Sequence, residues 1–146
     1  MSADILCGKI IEKQNPTVMG LDPLLSYIPQ FIKDDCARGE KDAFAAAAKA
    51  IFEFNKALID AAYDIVPAIK PQAAYYELYG WQGVKAYHDT VEYAKSKGMY
   101  VIADIKRGDI GSTAAAYAAA YLGTTDLEEC SMPAFGCDAC TVAPYL

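Results

Sequence analysis

The spacing of apolar residues alternates along the chain between a helical period and short, nearly unbroken apolar runs. Helical spacing or dense alanine content predicts helices in four segments, residues 3–13, 40–63, 81–97 and 113–121. Apolar, β-branched runs predict strands in four others, residues 17–22, 65–70, 99–104 and 139–143. Because strands alternate with helices at intervals of tens of residues, we predict a parallel sheet built from βαβ units.

The segments between these elements predict shorter structures. Residues 24–33 are apolar but irregular, which indicates a turn of helix and a loop, and residues 34–39 predict a linker. A single helical turn is predicted at residues 75–78, and a loop with a short helical piece at 123–136. Pro67 weakens the prediction of the second strand, because proline cannot donate a hydrogen bond to a neighbouring strand.

A dense group of charges follows the third apolar run. Asp104 and Lys106 are two residues apart, so they leave the end of a strand on the same side. Asp109 lies three residues further on, between Gly108 and Gly111, whose flexibility allows the chain to turn sharply. Ser112 is then predicted to cap the helix of residues 113–121. Taken alone, a D-x-K-x-x-D pattern also fits a salt-bridged corner between a strand and a helix.

Charged residues stand at the ends of the first three predicted strands, at Asp22, Lys70 and Asp104. The carboxyl ends of parallel strands meet at one edge of the sheet, and parallel-sheet enzymes place their sites there. We therefore expect a functional site at this edge. The sequence has no G-x-G-x-x-G and no Walker lysine, which argues against a nucleotide-binding doubly wound fold.

Composition limits the class of protein. The length of 146 residues predicts one domain over residues 1–146, and 54% hydrophobic with 22% charged residues favours a packed core. The net charge of −6, with no basic run, makes nucleic acid and anionic membrane surfaces poor partners. No apolar run approaches the roughly 18 residues of a membrane span. The first residues do not resemble a signal peptide, so we expect a cytoplasmic protein.

Several reactive residue types have a structural interpretation here. The five cysteines form an odd, irregular set and are expected to be reduced, and Cys137 and Cys140 are expected to pack rather than to bind zinc or exchange disulfides. His88, the only histidine, is expected on a helix surface or partly packed. The eleven tyrosines are expected to pack helices on the sheet, and Arg107 to be a surface or interface charge.

The segment from Asp104 to Thr113 resembles the signature of the orotidine 5'-phosphate decarboxylase family, in its longer bacterial form. The segments 20–23, 69–72 and 141–146 resemble the family's first, second and fourth strands. This resemblance implies a (β/α)8 TIM barrel that converts orotidine 5'-monophosphate to UMP and CO2 without metal or organic cofactor. A barrel takes about 250 residues, so we expect this chain to cover roughly the N-terminal half, without the C-terminal strands and phosphate-binding loops.

The resemblance also implies a role for each matching residue. Lys106 is the proton donor to C6 of the pyrimidine, and Asp104 lies beside the substrate carboxylate. Lys70 bridges the ribose and the charged network, and Asp22 binds a ribose hydroxyl. The remaining two site residues, Asp109 and Thr113, reach the neighbouring subunit's site in a homodimer.

Alternatives to this assignment remain at the sequence level. The D-x-K-x-x-D pattern is shared with Mg²⁺-dependent sugar-phosphate enzymes, among them 3-keto-gulonate-phosphate decarboxylase and hexulose-phosphate synthase. A catalytically silent scaffold, or a fragment that associates with a missing half, is a further alternative. The sequence departs from the family at Ala143, where an asparagine is usual, so no polar contact is expected from that side chain.

Overall fold

The computed structural model describes residues 2–145 and contains six helices and six strands in that range. In chain order they are α1 (Ser2–Lys13), β1 (Val18–Leu21), α2 (Gln30–Ala37), α3 (Ala43–Ala62), β2 (Ala68–Pro71), α4 (Ala74–Glu77), α5 (Gly80–Ser96), β3 (Tyr100–Arg107), α6 (Gly111–Tyr121), β4 (Thr125–Asp126), β5 (Ser131–Met132) and β6 (Ala139–Val142). None of these helices combines the length and apolar character needed to cross a membrane.

The central sheet has four strands in the order β1-β2-β3-β6, and every neighbouring pair is parallel. Val18 pairs with Ala68, and Ala68 pairs in turn with Tyr100, so the first three strands are aligned at their amino ends. This arrangement confirms the predicted α/β fold with a parallel sheet. Because all four strands are parallel, their carboxyl ends lie along a single edge of the sheet.

The helices between strands cover one face of the sheet and bury its side chains. Right-handed crossovers put α3 and α5 on the same face, where they pack against each other. Ile51 and Ile59 of α3 are fully buried, as are Ile69 of β2 and Val101 of β3. Phe44, in the first turn of α3, is 53% exposed.

A buried polar network joins three of these helices. Asn55 of α3 donates hydrogen bonds from Nδ2 to the Tyr76 hydroxyl of α4 at 2.8 Å and to Thr90 Oγ1 of α5 at 3.2 Å. Burial raises the pKa of Tyr76 far above its usual value, so its hydroxyl stays neutral. Tyr87 and Tyr121 are also buried, as expected of the tyrosines, but Tyr27 is 65% and Tyr145 91% exposed, so the packing role predicted for the eleven tyrosines holds only in part.

Helix α1 is anchored below the sheet, at the edge where the strands begin. Ser2 Oγ lies 2.6 Å from the Tyr100 hydroxyl, and Lys9 Nζ donates to the Gly98 carbonyl at 2.6 Å. Both contacts lie just before or at the start of β3. The opposite edge, where the charged residues lie, is therefore left open by α1.

Three local predictions were wrong. Residues 34–37 are helical rather than part of a linker, because α2 buries Cys36 against the core and Gln30 donates to Asp34 one turn later. Ser112 is not a helix cap, since α6 begins one residue earlier and Ile110 occupies the capping position. The loop at 123–136 contains the antiparallel pair β4–β5 rather than a helical piece, because short strand pairing leaves little local signal.

The observed boundaries of two strands also differ from the predicted ones. Strand β3 continues to Arg107, three residues beyond the predicted end, through an irregular register opposite β6. Strand β2 begins after Pro67 rather than at residue 65, since the backbone N–H groups of Ile65 and Val66 still bond to the end of α3. All five thiols are free, and His88 is partly exposed on α5, both as predicted.

Candidate active site

The site is built around one buried carboxylate at the carboxyl end of the sheet. Asp104, on β3, is only 5% exposed and accepts hydrogen bonds from four side chains. Its Oδ2 accepts from Lys70 Nζ at 2.7 Å and from Gln72 Nε2 at 3.0 Å. Its Oδ1 accepts from Lys106 Nζ at 2.6 Å and from Thr141 Oγ1 at 2.7 Å.

These donors come from three adjacent strands, which explains why they converge. Lys70 and Gln72 stand on and just after β2, Lys106 follows Asp104 by two residues on β3, and Thr141 is on β6. Gln72 also forms a single parallel bridge with Asp104, and the Ala73 N–H donates to the Asp104 carbonyl at 3.1 Å. The backbone of β2 is thereby held beside Asp104 at the point where the strands end.

The electrostatics of the site keep Asp104 ionised. Burial alone would raise the pKa of Asp104, but hydrogen bonds from Lys106, Lys70 and Thr141 outweigh it and lower the pKa to about 2. A carboxylate that receives two ammonium groups and two neutral donors is fully satisfied despite its burial. The carboxylate is therefore a fixed negative charge across the physiological pH range.

The two ammonium groups differ in how far they reach into the open edge. The Lys106 side chain is 61% exposed, whereas the Lys70 side chain is 35% exposed. Lys106 also has a positive φ of 47°, which is unusual for a residue with a side chain. The Lys106 ammonium can thus contact a molecule at the edge of the sheet while it remains paired with Asp104.

The structure brings three of the predicted site residues together and leaves three apart. Lys70, Asp104 and Lys106 form the ion-paired cluster described above. Within the described part of the chain, the other three form no ion pair or hydrogen bond with that cluster; they are Asp22, Asp109 and Thr113.

Each of these three residues is exposed near the same edge. Asp22 directly follows β1 and lines a groove with Tyr27 and Phe54. Asp109 lies beyond β3, and its Oδ1 accepts a hydrogen bond from the Ile110 N–H at 2.8 Å. Thr113 lies in the first turn of α6. Their side chains are available to a ligand or to another molecule.

Two contributors were not identified from the sequence. Gln72 and Thr141 are neutral polar residues at strand ends, and such residues are too common to single out. Both lie in segments that resemble the family, 69–72 and 141–146, and each falls at the carboxyl end of a strand that neighbours β3. In residues 2–145, no cluster of three or more histidine, cysteine, aspartate or glutamate side chains could hold a metal ion.

Arg107, expected to be a surface or interface charge, is partly exposed and makes contacts with two helices. Its side chain is 31% exposed, forms an ion pair with Glu77 of α4 and lies over the Tyr117 ring of α6, 5.7 Å from the ring centre. Arg107 therefore ties the end of β3 to α4 and α6.

Comparison with known proteins supports the resemblance found in the sequence. A sequence model of the orotidine 5'-phosphate decarboxylase / HUMPS family matches residues 39–146. A protein of Rhodopirellula baltica named orotidine 5'-phosphate decarboxylase is 41% identical over 141 residues, which cover 97% of this chain and 45% of that protein.

Solved structures give the same result for the fold. A crystal structure from Streptomyces avermitilis, assigned as an orotidine 5'-phosphate decarboxylase, superposes with a TM-score of 0.73 at 33% identity, over 99% of this chain and 44% of that one. Leishmania donovani OMP decarboxylase superposes with a TM-score of 0.64 at 26% identity, over 97% of this chain and 43% of that one. The chain spans less than half the length of these relatives. The family match and the identity to these relatives show that the chain belongs to the orotidine 5'-phosphate decarboxylase / HUMPS family.

Proposed function

We propose that the protein containing this chain is a carboxy-lyase that converts orotidine 5'-monophosphate to UMP and CO2, the last step of pyrimidine nucleotide synthesis. The observation that carries this proposal is the Lys106 ammonium, held 2.6 Å from Asp104 at the open edge of the sheet. Membership of the family and the names of the relatives give the substrate.

The chemistry explains why a lysine is needed at this position. Loss of CO2 from C6 leaves an electron pair in the plane of the pyrimidine ring, where the π system cannot delocalise it. A fixed positive charge beside C6 stabilises that carbanion as it develops. Lys106 supplies this charge and then donates the proton to C6, since an ammonium is a compact charge that carries a transferable proton.

Asp104 acts on the carboxylate of the substrate rather than on the carbanion. Burial acts to raise the pKa of Asp104, but hydrogen bonds from Lys106, Lys70 and Thr141 lower it to about 2. Asp104 therefore stays ionised beside the substrate carboxylate. The two negative charges repel each other, and that repulsion is relieved as neutral CO2 leaves. Because Lys70 and Lys106 already flank Asp104, the charges need little reorganisation when the substrate binds.

The remaining assignments complete the proposal. Lys70 bridges the ribose and the charged cluster, and Asp22 binds a ribose hydroxyl. Asp109 and Thr113 contribute to the neighbouring subunit's site in a homodimer. Residues 1–146 form the N-terminal part of a single (β/α)8 barrel, in a cytoplasmic enzyme that needs no cofactor and binds neither nucleic acid nor membranes.

The engagement of Asp104 favours this reaction over that of the Mg²⁺-dependent relatives. Both carboxylate oxygens already accept from an ammonium group. A magnesium ion at Asp104 would have to displace Lys70 or Lys106, and Mg²⁺ strongly prefers oxygen ligands in octahedral geometry. Cofactor-free decarboxylation uses the cluster as it stands.

The decisive experiment follows UMP formation as loss of orotidylate absorbance, with and without EDTA. We expect activity that survives EDTA from a protein that includes this chain and the phosphate-binding loops, and no activity from residues 1–146 alone. UMP formation that EDTA abolishes and Mg²⁺ restores would contradict the cofactor-free reaction, and Mg²⁺-dependent turnover of a sugar phosphate without UMP formation would assign the chain to the sugar-phosphate group instead. No activity from the longer protein would support the catalytically silent scaffold.

A further inference from the structure

We propose that Thr141 is a positioning residue, whose hydroxyl holds Lys106 in its left-handed backbone conformation and so directs the Lys106 ammonium to the reaction centre. The inference deepens the function proposed above and rests on it. Thr141 lies on β6, beside β3, and the sequence analysis assigned it no role of its own.

The first observation is an interruption in the pairing of β3 with β6. Ala103 pairs with Cys140, and the next pair joins Arg107 to Val142. Three residues of β3, from Asp104 to Lys106, therefore lie opposite Thr141 alone. Bulges of this kind leave backbone groups without their usual partners and redirect side chains near active sites.

The second observation is the partner that the Lys106 backbone finds. The Lys106 N–H donates to Thr141 Oγ1 at 3.0 Å, so a side chain replaces the missing bond between strands. Lys106 has a φ of 47°, a conformation that costs free energy for any residue with a side chain and persists only where surrounding contacts hold it. Thr141 supplies one such contact.

The third observation is the acceptor to which the Thr141 hydroxyl donates its hydrogen bond. Thr141 Oγ1 donates to Asp104 Oδ1 at 2.7 Å, the oxygen that also accepts from Lys106 Nζ at 2.6 Å. The hydroxyl thus joins the backbone of Lys106 to the carboxylate that pairs with its side chain. Only a side chain that both donates and accepts can make these two bonds, and among small residues serine and threonine do so well.

The functional consequence is control of the ammonium position. If the hydroxyl is lost, the Lys106 N–H has no acceptor on β6, and the backbone is free to relax to a negative φ. Relaxation would move Nζ away from Asp104 and from C6. A displacement of about 1 Å at a reacting group can lower the rate roughly 100-fold.

The test uses the complete enzyme that contains this chain. Thr141→Val keeps the shape of the side chain and removes both hydrogen bonds, whereas Thr141→Ser keeps both. We expect Thr141→Val to lower kcat roughly 10- to 100-fold with a smaller change in KM, and Thr141→Ser to stay close to wild type. Thr90→Val is the matched control, because Thr90 is buried and hydrogen-bonded to Asn55 away from the cluster. It should lower thermal stability and leave kcat unchanged.

Several outcomes would overturn the inference. A wild-type kcat in Thr141→Val, or an equal loss of kcat in Thr141→Ser and Thr141→Val, would show that the hydroxyl has no role in catalysis. If Thr141→Val does not fold, Thr141→Ala is compared with Thr141→Ser in the same way. If the wild-type enzyme forms no UMP, the proposed function fails. Crystal structures of the wild type and of Thr141→Val then test the positioning role separately, by comparing φ at Lys106. A positive φ at Lys106 without the hydroxyl would show that Thr141 does not position it.

Discussion

Lys106 and Asp104 form an ion pair 2.6 Å long between residues only two positions apart on the same strand. Because alternate residues of a strand share a side, a short stretch of sequence places both groups at the open edge of the sheet. The position of the ammonium therefore depends on the backbone of β3 rather than on a mobile loop. A cation held in this way before the substrate arrives can act on charge that appears only during the reaction.

Replacement of Lys106 should affect turnover far more than binding. We expect Lys106→Ala to lower kcat by about 10³-fold or more with a smaller effect on substrate affinity, because the charge matters most to the developing carbanion. Steady-state kinetics and calorimetric titration with UMP measure the two effects. Lys85→Ala is the control, since Lys85 pairs with Asp89 on the surface of α5.

Lys106→Arg separates the charge from the proton. Arginine keeps a positive charge, but its guanidinium hardly releases a proton. We expect UMP binding near the wild-type level, with a kcat below that of the wild type but above that of Lys106→Ala, because the charge beside the carbanion is kept and the transferable proton is lost. A kcat near normal in either variant would take Lys106 out of the centre of the mechanism.

The ionisation of Asp104 should make part of the stability depend on pH. Burial acts to raise the pKa of Asp104, and the hydrogen bonds from Lys106, Lys70 and Thr141 lower it from 3.8 to about 2. A lowered pKa means that the folded state favours the ionised form. The contribution, about 2 kcal/mol, is present above pH 3.8 and is lost as the pH falls toward about 2.

Urea unfolding of wild type and Asp104→Asn between pH 6 and pH 2 measures that contribution. The difference in unfolding free energy between the two proteins should shrink as the pH falls through this window. Asp64→Asn, which changes an exposed carboxylate, is the control and should run parallel to the wild type. A constant difference between wild type and Asp104→Asn would show that Asp104 does not titrate with a lowered pKa.

The sequence predicted the centre of the site because its signals there are local. Asp104 and Lys106 are related by the two-residue period of a strand, and Lys70 is a charge at the end of the neighbouring strand. The contact with Thr141 depends instead on the register of β3 against β6, which shifts at a bulge. No local pattern marks that shift, so the contact between Thr141 and Lys106 could only be found in three dimensions.

The same distinction explains the errors in the fold. Helix α3 has a long periodic pattern and was predicted to within a few residues. Helix α2 is short and weakly patterned, and it forms because Cys36 and Ile32 pack on the core. The antiparallel pair β4–β5 has two residues in each strand, which is too few to show a period.

Two glycines in helices should respond oppositely to alanine. A Cβ at Gly83 of α5 would lie 1.9 Å from the Tyr76 carbonyl oxygen, so Gly83→Ala must separate α4 from α5. A Cβ at Gly8 of α1 would meet no atom within 4 Å. We expect Gly83→Ala to destabilise by about 1–3 kcal/mol and Gly8→Ala to stabilise by about 0.5–1 kcal/mol. Thermal unfolding of both variants checks this, and a neutral Gly83→Ala would contradict the close contact.

The exposure of Asp109 leads to a prediction about the proposed dimer. Asp109 is exposed beyond the end of β3, and in residues 2–145 it forms no ion pair with Lys106. Its side chain is thus free to serve the site of a second subunit. Complete proteins that carry Lys106→Ala or Asp109→Ala should each be inactive, and mixing them should restore activity.

The expected recovery follows from the geometry of a shared site. If Asp109 acts across the interface, a hybrid dimer has one site with both defects and one site with neither. Random pairing of equal amounts makes about half the dimers hybrids, so about a quarter of wild-type activity should return. If Asp109 acts within its own subunit, every site keeps one defect and mixing restores nothing. Subunit exchange is verified by mass spectrometry of differently tagged chains, and exchange without recovered activity would refute the shared site while leaving the decarboxylase proposal intact.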